Sequence, residues 1–335
     1  MSKDYTNSNN NLIDTAPLII REFLIYMKTI KGKSPNTVDE YYLDLRTFFR
    51  FIKMNRGLIS NNVSFNEIPI DDINIDFIKA VTLTDAYEFM NYIMSDRDNN
   101  ATTRARKSSS LKSFFNYLTT KKALLANDPF KDLEAPKIKR ALPKYLTLEQ
   151  SLELLNAVDG KYKERDYCIL TILLNCGIRL SELAGLNYSS VRDDNTMVVT
   201  GKGNKQRVVY LNAACMAAIN DYKKIRPVDG VKDKNALFIS RNMNRLSPKT
   251  IQDIVYKYID KIGLGGAGYS VHKLRHTAAT LMYQHGGVDI RVLQDILGHA
   301  NLGTTEIYTH LSSEQKEKAV ESNPLSKVKK RKNKA

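Results

Sequence analysis

HKLRHTAATLMYQHGGVDIRVLQDILGHANLGTTEIY, residues 272–308, decides how this chain is read. Two helical stretches are legible in it, 272–284 and 289–297, parted by Gly286-Gly287 and followed by Gly298-His299. All five histidines of the protein lie between 272 and 310. Soluble folds usually scatter histidines, so the clustering points to one chemical site assembled late in the chain. Lys273 and Arg275 add two cations suited to phosphate, and Tyr308 follows His299 by nine positions. Such a set predicts most of an active site, with a further arginine and lysine supplied from earlier in the chain.

Outward from that stretch, bulk properties narrow the partner. A chain of 335 residues suggests two domains or one large one, and an apolar fraction of 42% allows each half a core. Lys+Arg outnumber Asp+Glu by 51 to 36, a formal charge of +15. That balance favours a polyanion, nucleic acid first. Cys168, Cys176 and Cys215 form no CxxC pair, and the apolar run around the first two predicts buried reduced thiols. The start, MSKDYTNSNNN, has no apolar signal region, and no run of about 18 apolar residues occurs, so a cytoplasmic protein without a membrane span is expected. No Asp/Glu/His cluster with metal-ligand spacing appears near the candidate site positions, which favours metal-free chemistry.

Residues 1–13 read as disordered. Helices are expected from near Asp14 to Ile30 with Pro17 in the first turn, from Ser34-Pro35 to about 55, from Thr84 to Met94 and from Ala101 to Leu118. The pattern weakens over 55–76, which reads as a loop or partly ordered insertion. Residues 14–125 are therefore expected to form a small helical domain. Its last helix carries Thr102, Thr103, Arg104, Arg106, Lys107 and Lys112, hydroxyls and cations suited to DNA backbone contact. A solvated helix face is the alternative for any one of them. Residues 126–144 are expected to link the domains, 132–144 (DLEAPKIKRALPK) being basic and aperiodic, and to let them close on a duplex like a clamp.

A second domain is expected over 145–323. Thr147-Leu148-Glu149-Gln150 is a capping-box pattern. The helix from Lys163 to Asn175 is apolar almost all round, hence central. Met197–Thr200 and Gln206–Leu211 read as strands of a hairpin around Gly201-Lys202-Gly203-Asn204-Lys205. Helices are expected over 212–224, 248–262, 272–284, 289–297 and 312–321, and 324–335 is a basic tail. The fold class is thus mainly α with one small β-hairpin.

Arg179 in GIRLSEL, Lys202 in TGKGNKQR, His272 and Arg275 in HKLRH, His299 in LGHA and Tyr308 in TEIYTHL are six matches, in order, to one pattern. On them the chain resembles the tyrosine recombinases (phage integrases), and over 14–320 the compact bacterial Xer recombinases. The resemblance implies a helical, SAM-like core-binding domain ahead of the catalytic domain. It implies that Tyr308 attacks a scissile phosphate, forms a 3′-phosphotyrosyl link and frees a 5′-hydroxyl. That hydroxyl of a partner strand reverses the attack, so no cofactor and no ATP are needed. Two rounds pass through a Holliday junction within a homo- or hetero-tetramer on two double-stranded DNA sites. A second Xer recombinase and the division translocase FtsK are further candidate partners, and residues 312–323 a helix that docks on a neighbouring protomer.

The chemistry of those residue types fits. A tyrosine hydroxyl has an ordinary pKa of about 10 and is a poor nucleophile near neutrality. Arg179 and Arg275 offer planar forks to the non-bridging oxygens, and Lys202 on a hairpin tip suits a general acid for the leaving oxygen. His272 and His299 can donate to the phosphate, and His272 can take the tyrosine proton. Lys205 and Lys273 are expected to contact DNA. Blander roles stand beside these: Arg179 as an ion-pair partner of Glu182, Glu182 as support, His276 as packing, and His285 as a C-terminal cap. Function is expected to be Xer-type chromosome dimer resolution, with a mobile-element integrase or resolvase, and then a non-catalytic DNA-binding protein, as alternatives.

Overall fold

A computed structural model describes residues 14–60, 62–136 and 144–298, with Lys202 described through its backbone alone. Expectations for residues 1–13, the helix over 312–321 and the basic tail lie outside the described residues. The chain divides into two units, Met1–Arg140 and Ala141–Ala335, each with its own core. Mainly helical structure with one two-stranded sheet is what the described residues form. No described helix is long and apolar enough to cross a membrane.

The first unit contains α1 (Leu18–Thr29), α2 (Pro35–Asn55), α3 (Ile75–Lys79), α4 (Leu83–Ser95) and α5 (Ala101–Thr120). α1 starts at Leu18, later than the sequence suggests, because Pro17 is extended and stands as the cap (φ −50°, ψ 146°). α2 begins where Ser34 accepts from the Thr37 N–H with Pro35 in the first turn, a position that needs no N–H. Thr82 and Asp85 close a capping box at α4. α2 buries Val38, Tyr42, Leu45, Phe49 and Ile52 at spacings of three and four. Phe48 meets Phe49, Phe89, Phe115 and Phe130 edge-on in the same core.

The segment 55–76, expected as a loop or partly ordered insertion, is mostly irregular among its described residues yet packs on the core. Ile68, Ile70 and Ile73 are buried. Two α2 cations tie the segment down, Arg50 donating to Ile68 O (2.8 Å) and Lys53 to Pro69 O (2.9 Å) and the Asp72 carboxylate (2.8 Å). Satisfying the backbone from side chains on another helix lets an aperiodic segment pack.

The second unit contains α6 (Leu148–Asn156), α7 (Lys163–Cys176), α8 (Leu180–Ala184), β1 (Thr196–Thr200), β2 (Gln206–Tyr210), α9 (Ala213–Ile225), α10 (Pro248–Lys261), α11 (Val271–Gln284) and α12 (Ile290–Leu297). α7 is central and buries residues on all sides, Cys168 through Leu174 among them. α9 and α11 pack on it. It stops at Gly177 in the left-handed region (φ 58°). A Cβ there would stand 2.9 Å from a Leu297 methyl and 3.4 Å from Ala278, so only glycine lets α11 and α12 close in. β1 and β2 pair antiparallel, Thr196 opposite Tyr210 and Thr200 opposite Gln206. The three cysteines are free and buried.

Candidate active site

The site is built where α8, the hairpin tip, α11 and the end of α12 meet. The last carbonyls of a helix have no partner inside it and carry partial negative charge. At the end of α12 three consecutive carbonyls receive three arginines. Arg207 Nε reaches Ile296 O at 3.4 Å, Arg275 Nη2 reaches Leu297 O at 2.6 Å, and Arg179 Nη2 reaches Gly298 O at 2.9 Å. Arg275, buried on α11, also donates through Nη1 to Gly177 O (2.6 Å). The two arginines expected to grip a phosphate are thus brought together, though Arg275 is only 2% exposed while the Arg179 side chain is 40% exposed.

Arg179 owes its place to the Arg-x-x-Glu spacing. It precedes α8, and the Glu182 carboxylate one turn on accepts its backbone N–H (2.7 Å) and its Nη1 (2.8 Å). The expected ion pair therefore exists, and Arg179 still presents a face to solvent. Glu182 is fully buried, and Arg207 donates both terminal nitrogens to it at 2.5 and 3.0 Å. Burial pushes the Glu182 carboxyl up. The hydrogen bonds from Arg207 and the Arg179 N–H outweigh that and hold it below the usual carboxylate range, so it is an anion. One buried carboxylate between these guanidiniums leaves the site cationic.

Lys202 opens the single turn Lys202–Asn204 between the strands, closed by Gly201 N–H to Lys205 O (2.8 Å). Gly201 lies against the carboxylate: a Cβ there would be 3.3 Å from Glu182 Oε1. The hairpin tip is thereby beside the Arg179 pair. Lys205 is exposed on the tip, and Lys273 half-buried on α11.

His272 is exposed in the first turn of α11, and its ring meets that of His276 edge-on at 4.7 Å, as residues four apart on a helix should. His285 caps the end of α11. Partial desolvation, then the like charges of Arg275, Lys273 and Arg179, hold His272 below the ordinary 6.5. This shift favours neutral His272, the form that can accept a proton. A histidine with a depressed folded value costs no stability above its unfolded value and costs some as pH falls through the window beneath it. We predict an NMR titration midpoint for His272 below 6.5 in the free protein that rises when DNA places a phosphate beside it; a midpoint at or above 6.5 without DNA contradicts this. His299, Tyr308 and His310 lie outside the described residues, His299 following Gly298 directly in sequence.

In the first unit the expected DNA contacts divide. Thr102 is exposed and Thr103 and Arg104 are half-buried in the first turn of α5. Lys107 is a correction: it is buried, with Nζ 2.9 Å from Asp44, an α2 carboxylate only 1% exposed. Ser110 (2.7 Å) and Arg106 (2.5 Å) bond the same carboxylate, and Arg106 also pairs with Glu40 (2.7 Å). Lys112 donates to the carbonyls of Lys131 and Leu133, both at 3.0 Å. The Asp44 carboxylate on the facing helix draws Lys107 and Arg106 toward it, a partner 63 residues away for Lys107 that spacing within α5 does not reveal. Lys107→Ala should cost about 2–3 kcal/mol of stability, read by urea unfolding, and leave DNA affinity of the folded protein unchanged. Weakened binding at unchanged stability would return Lys107 to the interface.

Arg207 and the closing role of Glu182 depend on contacts distant in sequence. The only signal was an arginine directly beyond the hairpin tip, on a short strand with one buried face.

Residues 144–315 match the phage integrase family, and residues 20–122 the phage integrase N-terminal SAM-like domain. The tyrosine recombinase XerC of Caldanaerobacter subterraneus subsp. tengcongensis is 51% identical over 92% of this chain and 88% of its own length. The XerC of Thermodesulfovibrio yellowstonii is 35% identical over 92% and 97%. In fold, the chain resembles the XerH site-specific recombinase bound to its difH substrate, with a TM-score of 0.67 at 22% identity over 96% of this chain and 90% of that one. With three guanidiniums gathered on one helix end and both halves matched, the chain belongs to the phage integrase family, the tyrosine recombinases.

Proposed function

We propose that this protein is a Xer-type site-specific recombinase that resolves chromosome dimers before division. The observation carrying the reading is the convergence of Arg179 and Arg275 on the Leu297–Gly298 turn, beside a hairpin tip that includes Lys202. In it Tyr308 attacks the scissile phosphate while Arg179 and Arg275 neutralise the non-bridging oxygens as charge builds. Lys202 protonates the departing 5′-oxygen, His272 accepts the tyrosine proton, and His299 donates to the phosphate. The helical domain, residues 14–125, holds DNA through the start of α5, the basic linker 126–144 lets it close with the catalytic domain, 145–323, around the duplex, and Lys205 and Lys273 add backbone contacts. Strand exchange runs in a tetramer on two sites in the cytoplasm, on the nucleoid, with a second Xer recombinase and FtsK as candidate partners. An integrase or resolvase of a mobile element would share every one of these steps.

The test is a supercoiled plasmid bearing two direct repeats of the genomic site that the protein protects. Two smaller circles should form without ATP. Binding with neither circles nor covalent adduct would make this a DNA-binding protein without catalysis. A protected site at the ends of an element, away from the replication terminus, would replace dimer resolution with the mobile-element role.

A further inference from the structure

Arg207 lies outside the six residues assigned to the reaction, yet it joins three of the elements that bring them together. It sits on β2, opposite Val199 and one step beyond the Thr200–Gln206 pair that closes the tip. Its guanidinium makes two bonds to Glu182, whose side chain is fully buried, and is itself 18% exposed. Its Nε faces Ile296 O. Gly298, left-handed at φ 63°, lies so close that a Cβ would stand 3.0 Å from Arg207 Cδ and 3.1 Å from Nε.

We propose that Arg207 is a positioning residue for protonation of the leaving group: its two-nitrogen pair with Glu182 fixes the Gly201–Lys205 tip, and with it Lys202, against the carboxylate that also holds Arg179. A five-residue glycine-containing tip has little of its own to fix it. A planar fork bound through two nitrogens sets orientation as well as distance, which a single ammonium contact does not. Because one carboxylate receives both arginines, the proton donor's loop and the phosphate-binding Arg179 share one reference point. Displacing a reacting group by about 1 Å costs on the order of 10²-fold in rate. The proposal rests on Lys202 being the general acid. In that step the Tyr308 oxygen bonds to phosphorus, the bond from phosphorus to the 5′-oxygen breaks, and the Lys202 ammonium gives that oxygen its proton.

The experiment replaces the bridging 5′-oxygen of a nicked suicide substrate with sulfur. A thiol has a pKa of about 8.5, so sulfur departs as thiolate and needs no proton donor. Arg207→Ala and Arg207→Lys should both slow single-turnover cleavage of the oxygen substrate about 10²-fold. The sulfur substrate should return both, like Lys202→Ala, to within about tenfold of the unsubstituted protein, while Arg179→Ala stays slow on both. Arg207→Lys keeps a cation beside Glu182, which guards against a variant that merely fails to fold. Site binding and thermal unfolding are measured on each. Arg207 variants that stay slow on sulfur while Lys202→Ala is rescued overturn the proposal, as does Arg207→Lys at full speed on oxygen. If sulfur fails to rescue Lys202→Ala itself, the general-acid reading fails, and the Arg207 proposal falls with it.

Discussion

Tyr308→Phe leaves the protein binding its DNA site and forming no covalent adduct, a loss of at least about 10⁴-fold in cleavage. The change removes one oxygen and keeps the ring, so on the proposed mechanism it deletes the attacking group at the smallest change in side-chain volume. A nicked suicide substrate reads the effect directly: the short fragment beyond the nick diffuses away, and the unchanged protein accumulates as a protein–DNA band. An adduct of normal yield from Tyr308→Phe would move the nucleophile to another residue.

Arg179→Ala is the second large effect. It should reduce cleavage about 10³-fold, the cost of deleting one donor aimed at developing charge, and leave site binding within a few-fold because many other phosphate contacts remain. The fold should tolerate it. Glu182 keeps both bonds from Arg207 when Arg179 is truncated, so its buried charge stays compensated. Arg179→Lys should rescue little, since a compact ammonium lacks the planar, spaced donors with which the guanidinium reaches Glu182 and Gly298 O and still faces solvent. Equal losses of binding and cleavage would make Arg179 a structural residue.

Much of this architecture is legible in the sequence because it is written locally. The α2 stripe of Val38, Tyr42, Leu45, Phe49 and Ile52 repeats within one helix, and Ser34-Pro35 and Thr147 with Gln150 mark helix starts through bonds spanning three residues. Arg179 and Glu182 are likewise one turn apart, so their pairing could be anticipated. What is not legible is set by distant partners. Ile68, Ile70 and Ile73 follow no helical period and are buried because Arg50 and Lys53 reach across to the carbonyls between them. Lys107 reads as a surface cation until Asp44 is placed beneath it. Arg207 reads as a strand charge until the hairpin folds back on Glu182, 25 positions earlier. Three arginines on the successive carbonyls of Ile296, Leu297 and Gly298 at the end of α12 are likewise a product of packing alone.

On the proposed mechanism Tyr308 carries the DNA strand during exchange, served by Arg179 ahead of α8, by the hairpin tip and by α11. Protease digestion of the trapped adduct followed by mass spectrometry tests it most directly. The predicted result is a single modified peptide bearing a nucleotide through a 3′-phosphate on Tyr308. A nucleotide on any other residue, or a 5′-phosphate linkage on Tyr308, would contradict it.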